Sequence, residues 1–349
     1  MNTPGKAELN VAIIGCGWAG SRHAEAFARC GARVTWGVDV LPARANALKV
    51  STGGVSNLST DYRDALADSS LHAVDICLPH DLHGVVSIAA ARAGKHILCE
   101  KPIAATLEEA DQMIAETEAA GVVLMIAENE RFLPITHKIR ELVLSGAIGK
   151  PALLQMTREC YLTQSFIQDR PWFLNAKSAA GGMMMAGGVH DFETARFALD
   201  DDVDSVYALR APQRFLELEG DDTSVALARF RKGVVATFVQ SFIMKSLATA
   251  AGHEVHTIRI DGELGSLFVQ DGHTIHLYSE ANGWRRDNKL VQLEIYVPEA
   301  DTFYLEVKHF IDCVREGIMP ITDGRNQRRP LEFVLAAYRS METGLPVGL

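Results

Sequence analysis

The sequence predicts an α/β protein. Its first half is a doubly wound parallel sheet, and its second half is an α+β domain dominated by antiparallel strands. Three features predict this. A glycine fingerprint lies between an apolar strand and a helix in residues 10–30. Strand-like and helix-like runs alternate as far as residue 127. Beyond residue 150, strand-like runs follow one another at short intervals.

Asn10-Val11-Ala12-Ile13-Ile14 is a short continuous apolar run, suited to a parallel strand buried on both faces. Gly15-Cys16-Gly17-Trp18-Ala19-Gly20 follows at once. Ser21 to Cys30 then has helical character, with Ala24, Phe27 and Ala28 on one face. This is G-x-G-x-x-G in a strand–turn–helix context. Gly15 allows the tight turn, Gly17 lets the backbone approach a pyrophosphate, and Gly20 lets helix and strand pack closely. The helix start, at Trp18 and Ala19, offers backbone N–H groups to the anion. The second strand is Arg33-Val34-Thr35-Trp36-Gly37-Val38, ended by Asp39. A carboxylate there accepts from the adenosine 2′-hydroxyl and repels a 2′-phosphate. The expected cofactor is therefore NAD, with NADP disfavoured. Arg44 lies close enough to stack on adenine or to meet a phosphate.

Glu100-Lys101-Pro102 comes straight after the apolar run Lys95-His96-Ile97-Leu98-Cys99. A Lys at the C-terminal end of a strand in such a sheet stands where ligands bind. The Pro behind it fixes the local backbone. Together with Gly-Gly-x-His downstream, this points to a lysine aimed at chemistry rather than a loop lysine.

Strand-like runs at 10–14, 33–38, 73–78, 95–99 and 122–127 alternate with helix-like stretches at 21–30, 42–49, 61–68, 82–93 and 107–120. Thr106, followed by Glu108 and Glu109, starts the last of these helices well. After about 150 come runs rich in Val, Leu, Phe and Thr at 152–160, 204–211, 223–230, 233–242, 254–260, 264–269 and 273–278, divided by turn signals such as Arg231-Lys232-Gly233. Helices return at 303–316 and 327–342. The expected boundary is near Gly149-Lys150-Pro151, giving domains 1–150 and 151–349, with a C-terminal helix able to pack back on the first.

The composition fits a globular enzyme. The chain has 349 residues, 48% of them hydrophobic and 22% charged. A net charge of −10 argues against nucleic acid or an anionic membrane as the main partner. No stretch of 18 apolar residues suggests a membrane span, and Met1-Asn2-Thr3-Pro4-Gly5-Lys6 lacks the apolar core of a signal peptide. The six cysteines are scattered without C-x-x-C, as free thiols of a reducing cytoplasm would be.

These segments resemble the glucose–fructose oxidoreductase / inositol dehydrogenase (Gfo/Idh/MocA) family over nearly the whole chain. The resemblance is carried by the Gly15–Gly20 fingerprint, Leu78-Pro79-His80-Asp81-Leu82-His83 and Ala93-Gly94-Lys95-His96-Ile97-Leu98-Cys99-Glu100-Lys101-Pro102. It continues through Asn129-Glu130-Arg131-Phe132, Gly181-Gly182…Gly188-Val189-His190, and the ending Ala337-Tyr338-Arg339-Ser340…Thr343-Gly344-Leu345-Pro346-Val347. It implies an N-terminal Rossmann domain and a C-terminal domain on a large, mostly antiparallel open sheet that forms the interface of a homodimer or homotetramer. It implies that Lys101 lies by the nicotinamide, with a cis bond before Pro102, and that His190 lies near the substrate carbon that loses hydride. The Leu78–His83 loop, with His80 and His83, is placed beside the nicotinamide ribose; two histidines without a third ligand make no metal site. Glu100 and Asn129 join the cofactor contacts, whereas Arg131 reads as a structural ion pair. Trp172 and Lys177 fall where the family builds its sugar pocket, and Tyr161, Arg158 and Asp191 are further pocket candidates.

Oxidising a secondary alcohol needs a hydride acceptor and a base for the hydroxyl proton. A Lys beside a positive nicotinamide is pushed toward its neutral form. Either Lys101 takes the proton, or His190 does while Lys101 polarises the oxygen. One departure stands out: the family commonly has Asp four residues before this His, and here that position is Ala186. Either the Lys101/His190 pair suffices, another group fills the gap, or ordinary dehydrogenase activity is weak. The expected function is an NAD-dependent dehydrogenase acting on a ring hydroxyl of a sugar, anhydrosugar, sugar derivative or cyclitol. The alternatives are an NAD-recycling glycosidase working by transient oxidation and elimination, and a non-catalytic NAD-sensing regulator.

Overall fold

A computed structural model describes residues 8–52, 54–245, 254–270, 272–284 and 292–349. The N-terminal residues Met1 to Lys6, read above for a signal peptide, lie outside them. The chain divides into two compact units, Met1–Asn129 with Asp301–Arg328, and Glu130–Ala300 with Arg329–Leu349.

The first unit is built on six parallel strands: β1 (Asn10–Ile14), β2 (Arg33–Val38), β3 (Asn57–Ser59), β4 (Ala73–Ile76), β5 (His96–Glu100) and β6 (Leu124–Ala127). Their order is β3-β2-β1-β4-β5-β6, so the winding reverses between β1 and β4. That reversal leaves a crevice at the carboxyl ends of β1 and β4, the place where open α/β sheets bind ligands. Val11, Ala12, Ile13, Val74, Ile76, Ile97 and Leu98 are wholly buried, as strands covered on both faces require. The first helix begins at Trp18, earlier than its apolar spacing predicts, because Trp18 and Ala19 already wind into the first turn. The expected strand 73–78 stops at Ile76, where the chain bends into Leu78-Pro79. The helix Thr302–Glu316 belongs to this unit and packs Phe310 edge-on to Phe27 at 6.2 Å.

The second unit carries a nine-stranded sheet. Its strands are β7 (Pro151–Glu159), β8 (Val203–Arg210), β9 (Thr223–Phe230), β10 (Val235–Ser241), β11 (Val255–Gly262), β12 (Gly265–Val269), β13 (Thr274–Ser279), β14 (Gln292–Tyr296) and β15 (Val347–Gly348). The order is β14-β13-β12-β11-β7-β10-β9-β8-β15, antiparallel throughout except for the parallel β7–β10 pair. Alternation sets the two faces: Ser224, Ala226, Ala228 and Phe230 of β9 are buried, while Val225, Leu227 and Arg229 are exposed. The helix Val189–Leu199 lies on the buried face, where Phe192 meets Phe238 of β10 at 4.6 Å. Among the described residues no helix is long and apolar enough to cross a membrane.

Candidate functional site

In the first unit the fingerprint glycines divide into two kinds. Gly15 sits at φ +96°, and a Cβ there would stand 2.2 Å from the Cys77 carbonyl oxygen; one on Gly20 would stand 2.0 Å from the Gly15 oxygen. Packing alone demands both glycines. A Cβ on Gly17 would meet only Arg44 Nη1, at 3.8 Å. The space before Gly17 is therefore open, flanked by a guanidinium, and it faces the start of a helix whose N-cap makes no side-chain hydrogen bond. A pyrophosphate fits such a cradle, since its charge suits both the helix dipole and Arg44. Asp39 ends β2 with its carboxylate nearly enclosed, accepting from the Cys16 N–H at 2.9 Å through Oδ2 and from the Leu41 N–H at 2.8 Å through Oδ1. Trp18 is half-exposed, edge-on to Phe303 at 5.6 Å.

Lys101 leaves the carboxyl end of β5, and the Lys101–Pro102 bond is cis, as the resemblance implies. Its backbone N–H donates to Glu100 Oε2 at 3.1 Å. Behind Glu100 lies a buried charged network that sequence reasoning missed. His23 Nε2 stands 3.6 Å from Glu100 Oε1 and 3.6 Å from Glu306 Oε1, and its Nδ1 stands 2.9 Å from Asp75 Oδ1. Burial alone would strip the His23 proton, but Asp75, Glu100 and Glu306 outweigh it and raise its pKa to about 10. Glu306 is pushed well above the usual carboxylate range, chiefly by burial.

His80 and His83 are both buried. His83, expected among the cofactor contacts, is instead a strut: Nδ1 lies 2.7 Å from the Pro102 carbonyl and Nε2 2.9 Å from that of Leu78. It ties the loop after β4 to the corner that carries Lys101, and burial holds its pKa below the ordinary value. Asn129, also expected to face the cofactor, donates its amide to Thr302 Oγ1 at 3.1 Å.

In the second unit His190 lies in the first turn of the helix Val189–Leu199, and the segment Met184–Gly188 before it is π-wound. Such bulges frequently mark functional positions. Gly187 lets the sheet come close: a Cβ there would be 2.9 Å from Arg158 Cδ and 3.1 Å from Gln240 Oε1. The segment is anchored by Tyr338, whose hydroxyl accepts from the Gly182 N–H at 2.9 Å and the Met185 N–H at 3.1 Å and donates to Asp221 at 2.7 Å.

Strand register places Gln240, Arg158 and His256 side by side across β10, β7 and β11 on the buried face. Asp191, expected among the pocket residues, is fully enclosed over this row. It accepts from Arg158 at 2.7 and 2.9 Å and from the Gln240 amide, and it lies 3.0 Å from His256 Nε2. Arg158, also expected in the pocket, is likewise buried, and it grips both oxygens of Glu130 at 2.8 and 2.9 Å and one of Glu254. Burial opposes these charges, yet Asp191, Glu130 and Glu254 keep Arg158 firmly protonated. Arg158 in turn holds Asp191 well below the usual carboxylate range. Glu130 is lowered to about 2 against its own burial, by Arg158, His190 and His256 in that order. Arg131 pairs with Glu193.

Ala186 and Trp172 pack against one apolar cluster with Leu162, Phe173, Met183 and Phe242, Trp172 edge-on to Phe173 at 5.7 Å. Lys177 is exposed in the short helix Ala176–Ala179, and Tyr161 stacks under Lys245 at 5.2 Å. Period-two burial of Leu154, Met156 and Arg158 is the signal that would have turned Arg158 inward; nothing local marks Glu130 or His23.

Residues 9–128 match the oxidoreductase family with an NAD-binding Rossmann fold, and residues 136–268 match the GFO/IDH/MocA C-terminal domain. Myo-inositol 2-dehydrogenase of Thermotoga maritima is 28% identical over 340 residues, 96% of each chain. D-xylose 1-dehydrogenase (NADP(+)) 2 of Haloferax volcanii is 30% identical over 303 residues, 85% of this chain and 86% of that one. The structure of levoglucosan dehydrogenase in complex with NADH superposes with a TM-score of 0.85 at 22% identity, covering 98% of this chain and 99% of that one.

Proposed function

Since the chain belongs to the Gfo/Idh/MocA family of oxidoreductases, with an NAD-binding Rossmann fold, we propose that it is an NAD-dependent dehydrogenase of a ring hydroxyl. The substrate class is a sugar, anhydrosugar, sugar derivative or cyclitol, and the reverse reduction of the ketone is the same chemistry. The observation that carries the reading is the cradle at Gly17 beside Asp39 in the same unit as the lysine that follows β5. The relatives that act on inositol and xylose support the substrate class.

Bound NAD⁺ supplies the hydride acceptor. The Gly17 backbone and the first turn of the helix Trp18–Arg29 hold its pyrophosphate, with Arg44 beside them; Asp39 accepts from the adenosine ribose. Lys101 and His190 handle the hydroxyl proton between them, one taking it while the other polarises the oxygen. His83 fixes the Pro102 carbonyl, and Glu100 the Lys101 amide, so that the lysine leaves the strand from a rigid corner.

We read the assembly as a homodimer or homotetramer through the second unit's sheet. Leu209, Val225 and Val239 form one outward row, and Tyr207, Leu227 and Thr237 the next; Leu209, Val225 and Leu227 are exposed. A second copy would cover them, and light scattering that gives a monomer would refute it. The six free thiols suit a cytoplasmic setting.

The test is NADH formation from NAD⁺ over a panel of pyranoses, anhydrosugars, inositols and uronic acids, with NADP⁺ in parallel. Turnover on a panel member that Lys101→Ala abolishes without loss of NAD binding supports the reading. NAD binding with no turnover by the unaltered enzyme, or full turnover by the variant, defeats it.

A further inference from the structure

Behind the lysine that follows β5 stands a wholly buried histidine that the proposed chemistry does not use. His23 projects from the helix Trp18–Arg29 among carboxylates of β4, β5 and the helix Thr302–Glu316. Its Nδ1 lies 2.9 and 3.1 Å from the two oxygens of Asp75, so one edge of the ring is fixed. Its Nε2 makes no hydrogen bond. Glu100 Oε1 and Glu306 Oε1 each stand 3.6 Å from that nitrogen, too far for a hydrogen bond and close enough for charge to act in a dry interior. With a carboxylate at each nitrogen, the imidazolium is the form that suits the surroundings, since it alone presents two N–H donors. Cys77 Sγ also faces Nδ1, at 3.6 Å, and Phe303 lies tilted beside the ring at 5.5 Å.

The two carboxylates at Nε2 are not equivalent. Glu306 is wholly buried, and neither of its oxygens has a hydrogen-bond partner. Burial favours its neutral form, and the charge of Glu128, just past β6, acts in the same direction. Glu100 keeps an open side, 17% exposed, and its Oε2 accepts the Lys101 backbone N–H at 3.1 Å. That bond joins sequence neighbours, and a glutamate has other rotamers that would turn its carboxylate to water. The cation at Oε1 opposes such a turn. One buried cation among several carboxylates is a poor source of stability beside an apolar core. Its place directly behind a candidate reactive lysine gives it a use.

We propose that His23 is a positioning residue for Lys101: its imidazolium holds the Glu100 carboxylate with Oε2 on the Lys101 N–H, so the direction in which the lysine leaves β5 depends on a charge carried by the helix Trp18–Arg29. Asp75 fixes the ring, and the chain of contacts runs from Asp75 through His23 and Glu100 to Lys101. The inference rests on the dehydrogenase reading for its catalytic meaning, but the placement of Lys101 does not.

The experiment uses the full chain with ¹⁵N-labelled lysine, the Lys101 amide signal being assigned with Lys101→Arg and followed by hydrogen exchange near neutral pH. In His23→Gln the Lys101 amide exchanges about tenfold faster or more, because its acceptor is no longer held. The Lys95 amide, bonded to the Ala90 carbonyl at 3.0 Å in the same unit, keeps its rate. Asp75→Asn releases the ring from its other edge and gives the same selective gain, which serves should His23→Gln fold poorly. On a substrate found in the panel, His23→Gln lowers kcat about tenfold with KM and NAD affinity little changed. In Glu100→Gln no carboxylate remains for His23 to hold, so adding His23→Gln lowers kcat little further. A Lys101 exchange rate unmoved in His23→Gln, or in Asp75→Asn where only that variant folds, overturns the proposal. So does an equal rise at Lys95 and Lys101, which marks general loosening, or a double variant whose kcat loss is the product of the two single losses. If Lys101 alone loosens and no panel member is oxidised by the unaltered enzyme, the dehydrogenase reading falls and the positioning stands.

Discussion

Asp39 Oδ2 accepts the Cys16 N–H at 2.9 Å, so the carboxylate at the end of β2 also pins the glycine loop that follows β1. Replacing it therefore has two effects. Asp39→Asn removes the charge that repels a 2′-phosphate while still offering an oxygen to Cys16. The ratio of kcat/KM with NADP⁺ to that with NAD⁺ should rise about tenfold, a change of about 1.4 kcal/mol. Parallel kinetics with the two cofactors check it, and an unchanged ratio would remove Asp39 from cofactor choice.

Gly15 and Gly17 should fail in different ways. At Gly15 an alanine meets both φ +96° and the Cys77 oxygen at 2.2 Å. Gly15→Ala should cost about 2 kcal/mol or more in stability. Gly17, at φ −76°, tolerates a methyl group in its backbone, and nothing but Arg44 lies near. Gly17→Ala should melt like the unaltered protein and lose NAD affinity. Thermal melting beside a cofactor titration separates the two; equal melting losses would mean that the cradle is not open.

His23 sets an alkaline limit. Its pKa is raised from 6.5 unfolded to about 10 folded, so the stability it contributes is complete below pH 6.5 and is lost as pH rises through about 10. Glu306, its pKa raised chiefly by burial, binds its proton more tightly folded than unfolded, which adds a loss of the same sign as pH rises. Melting temperature should fall across this window, and His23→Gln should flatten the fall. A variant with the parental slope would contradict the assignment.

Arg158 sets the acid side. Arg158→Gln leaves Asp191 and Glu130 buried without their cation and should cost about 3–5 kcal/mol. Glu130 is lowered from 4.5 to about 2, so its share of stability is present above pH 4.5 and is lost as pH falls through about 2. Acid unfolding followed by circular dichroism should begin at higher pH in Arg158→Gln; an unshifted onset would argue against the cluster's charges.

The parallel half is legible in the sequence because strands buried on both faces read as unbroken apolar runs, and because Gly15 and Gly20 are demanded by local packing. The edge strand Asn57–Ser59 is not legible, being two polar residues around an exposed Leu58 that only its neighbour makes a strand. The helix Pro134–Leu144 carries an available signal, Pro134 at its start and buried Ile135, Ile139 and Leu142 at helical spacing. The terminal strand Val347–Gly348 has none, since two residues hold no period. At the site, motif residues such as Lys101 and His190 are visible, whereas the buried charge clusters are not. Glu130, His23 and Glu306 matter through partners 28 to 283 residues away, and spacing along a chain carries no trace of such pairings.

The strand that bears Arg158 has no sequence-adjacent partner. β7 is flanked by β10, in the sheet's one parallel pairing, and by β11, and the register joins Arg158 to Gln240 and His256. Neither seam is a hairpin, and closing each needs a long loop to be ordered first. Meanders such as β8–β10 and β11–β13 can zip locally before β7 enters between them. On refolding, the row beneath Asp191 should thus be among the last features to assemble, and the ordering of the His190 helix turn would report that the whole sheet has closed.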